Sequence, residues 1–329
     1  MLIDNHGRNI SYLRLAVTDR CNLRCTYCMP EEGIKYLPKD NLMSFEEMLR
    51  MARLFAAEGI NKVRITGGEP FLRKDLIYFL EDLAKIEGID KISITSNGTI
   101  LSRFLPKLLE IGIKNINLSI DSLDRERFYQ ITRRDELQKV MDCMEQMLEM
   151  GFKVKLNAVV MKDKNVDDVI PLINLTKSKQ IDVRFIEEMP FNGNGAQANE
   201  GFWSYQDLLM YINEHFPKIT SFPMKAGATA MEYKIPEHIG KIGIIAAYSR
   251  TFCGSCNRIR VTPLGGLKTC LYDNGVFNIK DIMRQGANDE VIIATLKEAL
   301  AHRAKDGHEA EKNRGGLPQI GESMASIGG

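Results

Sequence analysis

The sequence predicts an α/β fold, an incomplete (β/α)6 barrel of TIM type followed by a β-containing module. Three observations predict it. From Tyr12 to Glu187, short runs rich in β-branched residues alternate six times with amphipathic stretches of helical period, the pattern of βα units around a parallel sheet. Within those runs apolar and polar residues alternate, although parallel strands covered on both faces read as continuous apolar runs. After about Asn192 the texture changes to Gly- and Pro-punctuated segments.

The six strands are Tyr12–Thr18, Lys62–Thr66, Lys91–Thr95, Asn115–Ile120, Lys153–Val160 and Asp182–Glu187. A helix follows each. The clearest starts at Ser44, where Ser44 and Glu47 have capping-box spacing ahead of Met48, Leu49 and Ala52, and Gly59 ends it. One strand face carries Leu13, Leu15, Val63, Ile65, Ile94, Leu118 and Phe185. The other carries Arg14, Arg64, Thr95, Asn117, Ser119, Asn157 and Arg184. A common eight-stranded barrel fills its lumen with branched apolar side chains, so a polar inner face implies a wide ligand-filled cavity. A flat sheet with one solvated face is the alternative. The chain therefore divides into a barrel, residues 1–191, and a C-terminal module, residues 192–329, with a helix over Ser204–His215 and β segments around Tyr233–Ala247 and Arg258–Leu271. Composition from Ala301 onward predicts a frayed, Gly-rich tail.

The 329 residues are 44% hydrophobic and 26% charged, which excludes disorder, collagen and coiled coil. A net charge of +1 offers no global attraction to nucleic acid or a membrane surface. No apolar run spans a bilayer, and the start, MLIDNHGRNI, lacks signal-peptide character, so a reducing cytoplasm is expected. There, clustered thiols bind metal or do chemistry more often than they form bridges.

Seven cysteines are the unusual feature. Cys21, Cys25 and Cys28 form C-x3-C-x2-C after the first strand, at the barrel end where active sites form. Three thiolates can hold three irons of a four-iron cluster and leave the fourth open. A structural zinc needs a fourth ligand and favours paired C-x2-C spacing. Cys253, Cys256 and Cys270 again stop at three; here zinc completed by His238 or His302 stays open beside a second cluster. Cys143, among Met141, Met144 and Met147, reads as core.

After the second strand, Gly67-Gly68-Glu69-Pro70 lets the backbone approach a ligand closely, although it could be a plain turn. Basic residues recur on the polar face or just past it: Arg14, Lys62, Arg64, Lys162, Arg184, Arg258 and Arg260. Some could pair with Asp19, Glu69, Asp121, Glu187 or Glu188. As a set they suit a polyanion such as a nucleotide triphosphate.

These residues resemble the radical S-adenosylmethionine enzymes: C-x3-C-x2-C with Tyr27 before the third cysteine, then GGEP. VTDRCNLRCTYCMP, RITGGEP, RFIEEMP, FCGSCNRIRVT with Cys270 beyond, and the terminal Gly-Gly are similar to the GTP 3′,8-cyclase family of molybdenum cofactor biosynthesis. The resemblance implies the radical SAM barrel, two [4Fe–4S] clusters and S-adenosylmethionine as cofactors, with GTP as substrate. By it, Cys21, Cys25 and Cys28 hold the first cluster, whose electron yields a 5′-deoxyadenosyl radical that takes hydrogen from ribose C3′. The C3′ radical then attacks guanine C8, and reduction and protonation follow.

The resemblance assigns S-adenosylmethionine to Tyr27, Gly68, Ser119 and Met189. It assigns GTP to Arg14, Arg64, Thr95, Lys162, Arg258, Ile259 and Arg260, with Lys62 and Arg184 as further candidates. Cys253, Cys256 and Cys270 would bind the purine through a second cluster; Arg258, Arg260, Gly328 and Gly329 would serve the reaction, the Gly-Gly tail reaching into the active site against the frayed reading that its composition gives. Expected partners are a flavodoxin or ferredoxin as reductant and the next pathway enzyme, cyclic pyranopterin monophosphate synthase, with homodimer formation left open. Rival readings are a peptide-modifying radical SAM enzyme with an auxiliary cluster and a zinc-stabilised nucleotide-binding protein.

Overall fold

The computed structural model of the chain describes residues 1–34, 36, 38–189, 203–314 and 323–327. The six predicted strands are present as β1 (Tyr12–Ala16), β2 (Lys62–Thr66), β3 (Lys91–Ser96), β4 (Asn115–Ser119), β5 (Lys153–Val160) and β6 (Asp182–Glu187). They pair in parallel, in sequence order. Val17 and Thr18, expected in the first strand, already belong to the loop that leads to Cys21.

The later strands are β7 (Thr220–Ser221), β8 (Met231–Lys234), β9 (Lys241–Ile245), β10 (Arg258–Val261), β11 (Gly266–Lys268) and β12 (Phe277–Asn278). They continue the same sheet. β9 joins β6 and β10 joins β1, both in parallel, while β7, β8, β11 and β12 extend the edges antiparallel. The sheet order therefore runs from β12 through β10, β1 to β6 and β9 to β7, without closing on itself. The barrel is incomplete, as predicted.

Strand alternation sorts the two faces. Leu13, Leu15, Val63, Ile65, Ile94, Leu118 and Phe185 are fully buried with Met48, Phe55, Leu80, Leu108, Met144 and Ile173 of the surrounding helices. This shared apolar layer supplies the main drive for folding. Cys143 belongs to it, as expected. The helix Phe45–Ala57 carries the predicted reciprocal cap, Glu47 N donating to Ser44 Oγ and Ser44 N to Glu47 Oε2. Ser204 and Asp207 cap Tyr205–His215 in the same way.

The frayed-tail expectation is corrected for the described part of the C-terminus. Asp306 caps a helix over Gly307–Asn313, and Ala325 and Ile327 are 1% and 3% exposed. Ile327 packs with Tyr272 and Ala310. Composition misses this because two small apolar anchors suffice to seat a polar segment in a groove formed by the rest of the chain. Gly328 and Gly329 lie outside the described residues. Among the described residues no helix is long and apolar enough to cross a membrane.

Candidate active site

The polar strand face and the strand-end loops line one cavity of about 290 Å3 that opens to solvent. Both cysteine triplets open onto it, with Arg14, Arg64, Thr95, Ser119 and Arg184 of the strands between them. All seven cysteines are free thiols.

The loop after β1 carries the first triplet and is fixed from several sides. Cys28 N donates to Cys25 O, and Arg24 N and Thr26 N donate to Thr132 O and Ile131 O. Arg24 Nη1 reaches Cys21 O at 2.7 Å, and Arg133 Nη1 reaches Arg24 O at 2.9 Å. Asp121 accepts from Tyr27 Oη at 2.9 Å and from Val159 N at 2.8 Å, tying the loop to β5. Burial, then the charge of the neighbouring thiolates and acids, pushes Cys21 up to about 12 and Cys28 to about 11, and holds Cys25 well above the usual thiol range. Three half-buried thiols in one loop, all disfavoured as free thiolates, suit a positively charged group bound among them, which is the chemistry of an iron–sulfur ligand set.

The GGEP segment lies against this loop. Gly68 N donates to Thr18 O and Glu69 N to Arg20 O, and a Cβ on Gly68 would fall 2.3 Å from Arg20 O. Gly67 and Gly68 also line the cavity, so the glycines serve close backbone approach and the ligand face together. Gly68→Ala must displace the Cys21 loop; the expected result is loss of iron from the first triplet, read by iron and sulfide content after anaerobic purification.

Glu69 is fully buried, accepting from Asn97 N, Phe71 N and Ser96 Oγ. Burial outweighs these bonds and pushes its carboxyl up from 4.5 to about 7. The folded chain thus favours the protonated form, whose contribution is full below about 4.5 and lost as the pH rises through about 7. The displacement corresponds to about 3 kcal/mol. Urea unfolding of the metal-free chain and of Glu69→Ala is therefore expected to converge in stability between pH about 5 and about 8.5. A gap that widens with pH contradicts this.

The second triplet is built differently. Cys253 and Cys256 flank a tight turn closed by Cys256 N donating to Cys253 O. Cys270 follows β11, its N donating to Asp273 Oδ2. Arg258 Nε and Arg303 Nη2 point at Cys256 Sγ, 3.4 and 3.1 Å away. Burial pushes the Cys256 thiol up, but these two cations more than reverse it and bring it to about 6; at Cys270 burial, with Asp273 and the neighbouring thiols, raises the thiol to about 11. The histidines considered as zinc ligands are engaged elsewhere: His238 Nδ1 with Thr176 Oγ1, and His302 Nδ1 with Glu298 O. Among the described residues no three His, Cys, Asp or Glu side chains converge on a single metal ion.

Register makes the basic residues a row. Arg260 pairs with Arg14, and Arg14 with Arg64, so three guanidinium groups stand side by side on the inner face. Burial, then Arg260 and Arg64, drives the Arg14 guanidinium well below its ordinary range; burial, then Arg258, brings Arg260 to about 10. Two residues earlier on the same face, Lys62 Nζ lies 3.9 Å from the Tyr12 ring centre. Burial raises the Tyr12 phenol, but Arg64, Arg14, Lys62 and Arg258 outweigh it and bring it down to about 8, the mark of a concentrated positive field. Three of the acids weighed as alternative partners, Glu69, Asp121 and Glu187, bond to other donors: Glu187 accepts from Tyr205 N, Tyr248 N and Ser249. Arg184 does pair with an acid, Glu232, at 3.4 Å.

Of the residues singled out from sequence, Tyr27, Gly68, Ser119, Met189, Arg14, Arg64, Thr95, Arg184, Arg258, Arg260 and both triplets line the cavity. Lys162 is exposed and Ile259 is buried in the apolar layer, so neither side chain does. Lys62 sits over the Tyr12 ring and is not among the residues that line the cavity. Sequence reasoning missed Asn97, Arg250 and Tyr272, which line the cavity from loops, and Met324 and Ala325, which line it from a short helix over Met324–Ile327. Asn117 and Asn157 were legible as polar strand positions. With its amide oxygen turned toward Arg64, Asn117 accepts from that guanidinium at 2.7 and 3.2 Å.

Comparisons with known proteins place the chain in a family. Residues 15–176 match the Radical SAM superfamily and residues 181–309 match Molybdenum Cofactor Synthesis C. The chain is 42% identical to molybdenum cofactor biosynthesis protein moc-5 of Caenorhabditis elegans, over 94% of this chain and 52% of that protein. It is 38% identical to the mitochondrial GTP 3′,8-cyclase of Arabidopsis thaliana, covering 94% and 79%. Identity to the GTP 3′,8-cyclase of Clostridium botulinum is 36%, with both chains covered in full. The chain thus spans about half the length of the animal relatives it matches. Among solved structures, anSMEcpe with bound AdoMet superposes with a TM-score of 0.60 at 19% identity, covering 91% of this chain and 83% of that one. SuiB of Streptococcus suis bound to S-adenosylmethionine gives 0.58 at 14%, covering 84% and 64%. The fold, the cysteine loop with its GGEP partner, and these matches together show that the chain belongs to the radical SAM superfamily, in the group that joins this barrel to a molybdenum cofactor synthesis C region.

Proposed function

We propose that the chain cyclises GTP, joining ribose C3′ to guanine C8, as the first step of molybdenum cofactor biosynthesis. One observation carries the reading: two cysteine triplets and a row of guanidinium groups face the same cavity. In this reading Cys21, Cys25 and Cys28 hold a [4Fe–4S] cluster, and Cys253, Cys256 and Cys270 of the 192–329 module hold a second one against the purine. When bound, the first cluster supplies an electron to S-adenosylmethionine and so a carbon radical able to take the C3′ hydrogen.

The remaining work falls to this chain's own residues. Tyr27, Gly68, Ser119 and Met189 seat S-adenosylmethionine. Arg14, Arg64, Arg258 and Arg260 neutralise the triphosphate, and Thr95 and Arg184 add polar contacts beside them. The buried tail segment at Met324 and Ala325 closes the cavity near Cys28, whose Sγ is 4.0 Å from Ser323 Oγ. Gly328 and Gly329 are assigned to the reaction by the family resemblance; deleting both is expected to abolish cyclisation with both clusters still assembled, and full activity in the truncated chain refutes that role. A low-potential flavodoxin or ferredoxin would supply electrons and the next pathway enzyme would take the product, both in the cytoplasm.

Anaerobic incubation with reductant and S-adenosylmethionine tests the reading. GTP is expected to stimulate formation of 5′-deoxyadenosine and to yield a cyclised nucleotide. Stimulation by a peptide instead would assign the cavity to peptide modification, and protein containing zinc without labile sulfide would assign it to neither.

A further inference from the structure

The second triplet is held by residues that lie far from it in sequence and have no part in the cavity lining. Arg303 and Asp4 are almost completely buried, their side chains 2% and 0% exposed. All five N–H donors of Arg303 are used. Nε donates to Thr269 O at 3.0 Å, Nη1 to Asp4 Oδ2 and Cys256 O at 3.0 Å, and Nη2 to Arg258 O at 2.9 Å and Cys256 Sγ at 3.1 Å. Asp4 Oδ2 also takes Arg8 Nε at 2.6 Å, and Arg8 Nη1 reaches Cys253 O at 3.1 Å. Two guanidinium groups on one buried carboxylate thus touch the backbone at Cys253, at Cys256 and at the residue before Cys270.

We propose that Arg303, anchored on Asp4, is the positioning residue of the second triplet: it fixes the loops that carry the three thiols and donates a charge-assisted hydrogen bond to the Cys256 sulfur. The inference rests on the two-cluster reading above. The fork geometry matters as much as the charge. A lysine offers three donors from one point and cannot reach a carboxylate, three carbonyls and a sulfur at once. A donor to a ligating sulfur also stabilises the reduced cluster, so its loss shifts the reduction potential to a more negative value.

The test uses the anaerobically purified full chain and the variants Arg303→Lys and Asp4→Asn. Iron and sulfide content, iron retention against a chelator, and the reduction potential of each cluster are measured, none of which depends on turnover. Both variants are expected to keep the first cluster and to hold the second about 10- to 100-fold more weakly against the chelator, with Arg303→Lys also lowering its potential. The retained first cluster reports that the variants have folded. Retention of both clusters at unchanged strength overturns the proposal. Parallel loss of both also overturns it, by making Arg303 a brace of the whole fold. Cys256→Ala separates this from the reading beneath it: if that variant keeps all its iron, the two-cluster reading fails, whereas lowered iron there with unchanged Arg303→Lys and Asp4→Asn defeats the positioning role alone.

Discussion

Arg14→Met is expected to weaken GTP binding about 10- to 100-fold while leaving the ligand-free chain as stable as before or more so. The two halves of that result have one cause. Arg14 is buried in register with Arg260 on one side and Arg64 on the other, and burial together with their like charge depresses its guanidinium. Before a polyanion enters, that arrangement costs free energy. A triphosphate reverses the balance: each charge-assisted bond contributes about 1.5 to 3 kcal/mol, and the neighbouring cations become partners in neutralisation. Methionine keeps much of the volume without the charge. Calorimetric GTP affinity and a thermal melt of the metal-free variant check both halves. Unchanged affinity, or a large loss of stability, would mean that Arg14 serves the fold and not the ligand.

Cys25→Ala is expected to abolish S-adenosylmethionine cleavage altogether, with iron reduced by the share of the first cluster and the metal-free fold retained. Cys25 is the central thiol of its loop, and burial, Asp121 and the flanking cysteines all oppose its ionisation in the metal-free chain. Its removal therefore relieves crowding in the metal-free state and harms only the loaded one. The loop's own hydrogen bonds, from Arg24 and Thr26 to the helix end at Ile131 and Thr132, use backbone atoms and survive the substitution. Iron analysis with a 5′-deoxyadenosine assay reads the outcome; retained cleavage would remove the first triplet from the chemistry.

Much of this site was legible because strand alternation is a local signal. Arg14, Arg64, Thr95, Ser119 and Arg184 occupy the polar phase of their strands, and all of them line the cavity. Cysteine spacing was equally direct: each triplet sits in one loop or in its neighbour, and both open onto the cavity. Two kinds of information were not local. The pairing of β9 with β6 and of β10 with β1, which brings the second triplet opposite the first, depends on contacts between distant segments. The Asp4, Arg8 and Arg303 network has no periodicity or spacing to betray it, because its members meet only in the folded chain. Lys162, just past a strand end, is exposed and outside the cavity lining, so its assignment to GTP rests on the resemblance alone. The tail misled for another reason. Its polar composition hid Ala325 and Ile327, the two apolar residues that anchor it.

The most direct test of the central claim, that this cavity brings the radical chemistry of the first triplet to a GTP ribose, is an isotope-transfer measurement. The anaerobic, reduced protein is given S-adenosylmethionine and GTP carrying deuterium only at C3′, and the 5′-deoxyadenosine is analysed by mass spectrometry. Transfer of that deuterium into 5′-deoxyadenosine, together with a nucleotide product bonded between C3′ and C8, is the predicted result. Unlabelled 5′-deoxyadenosine formed while GTP is recovered unchanged would contradict it.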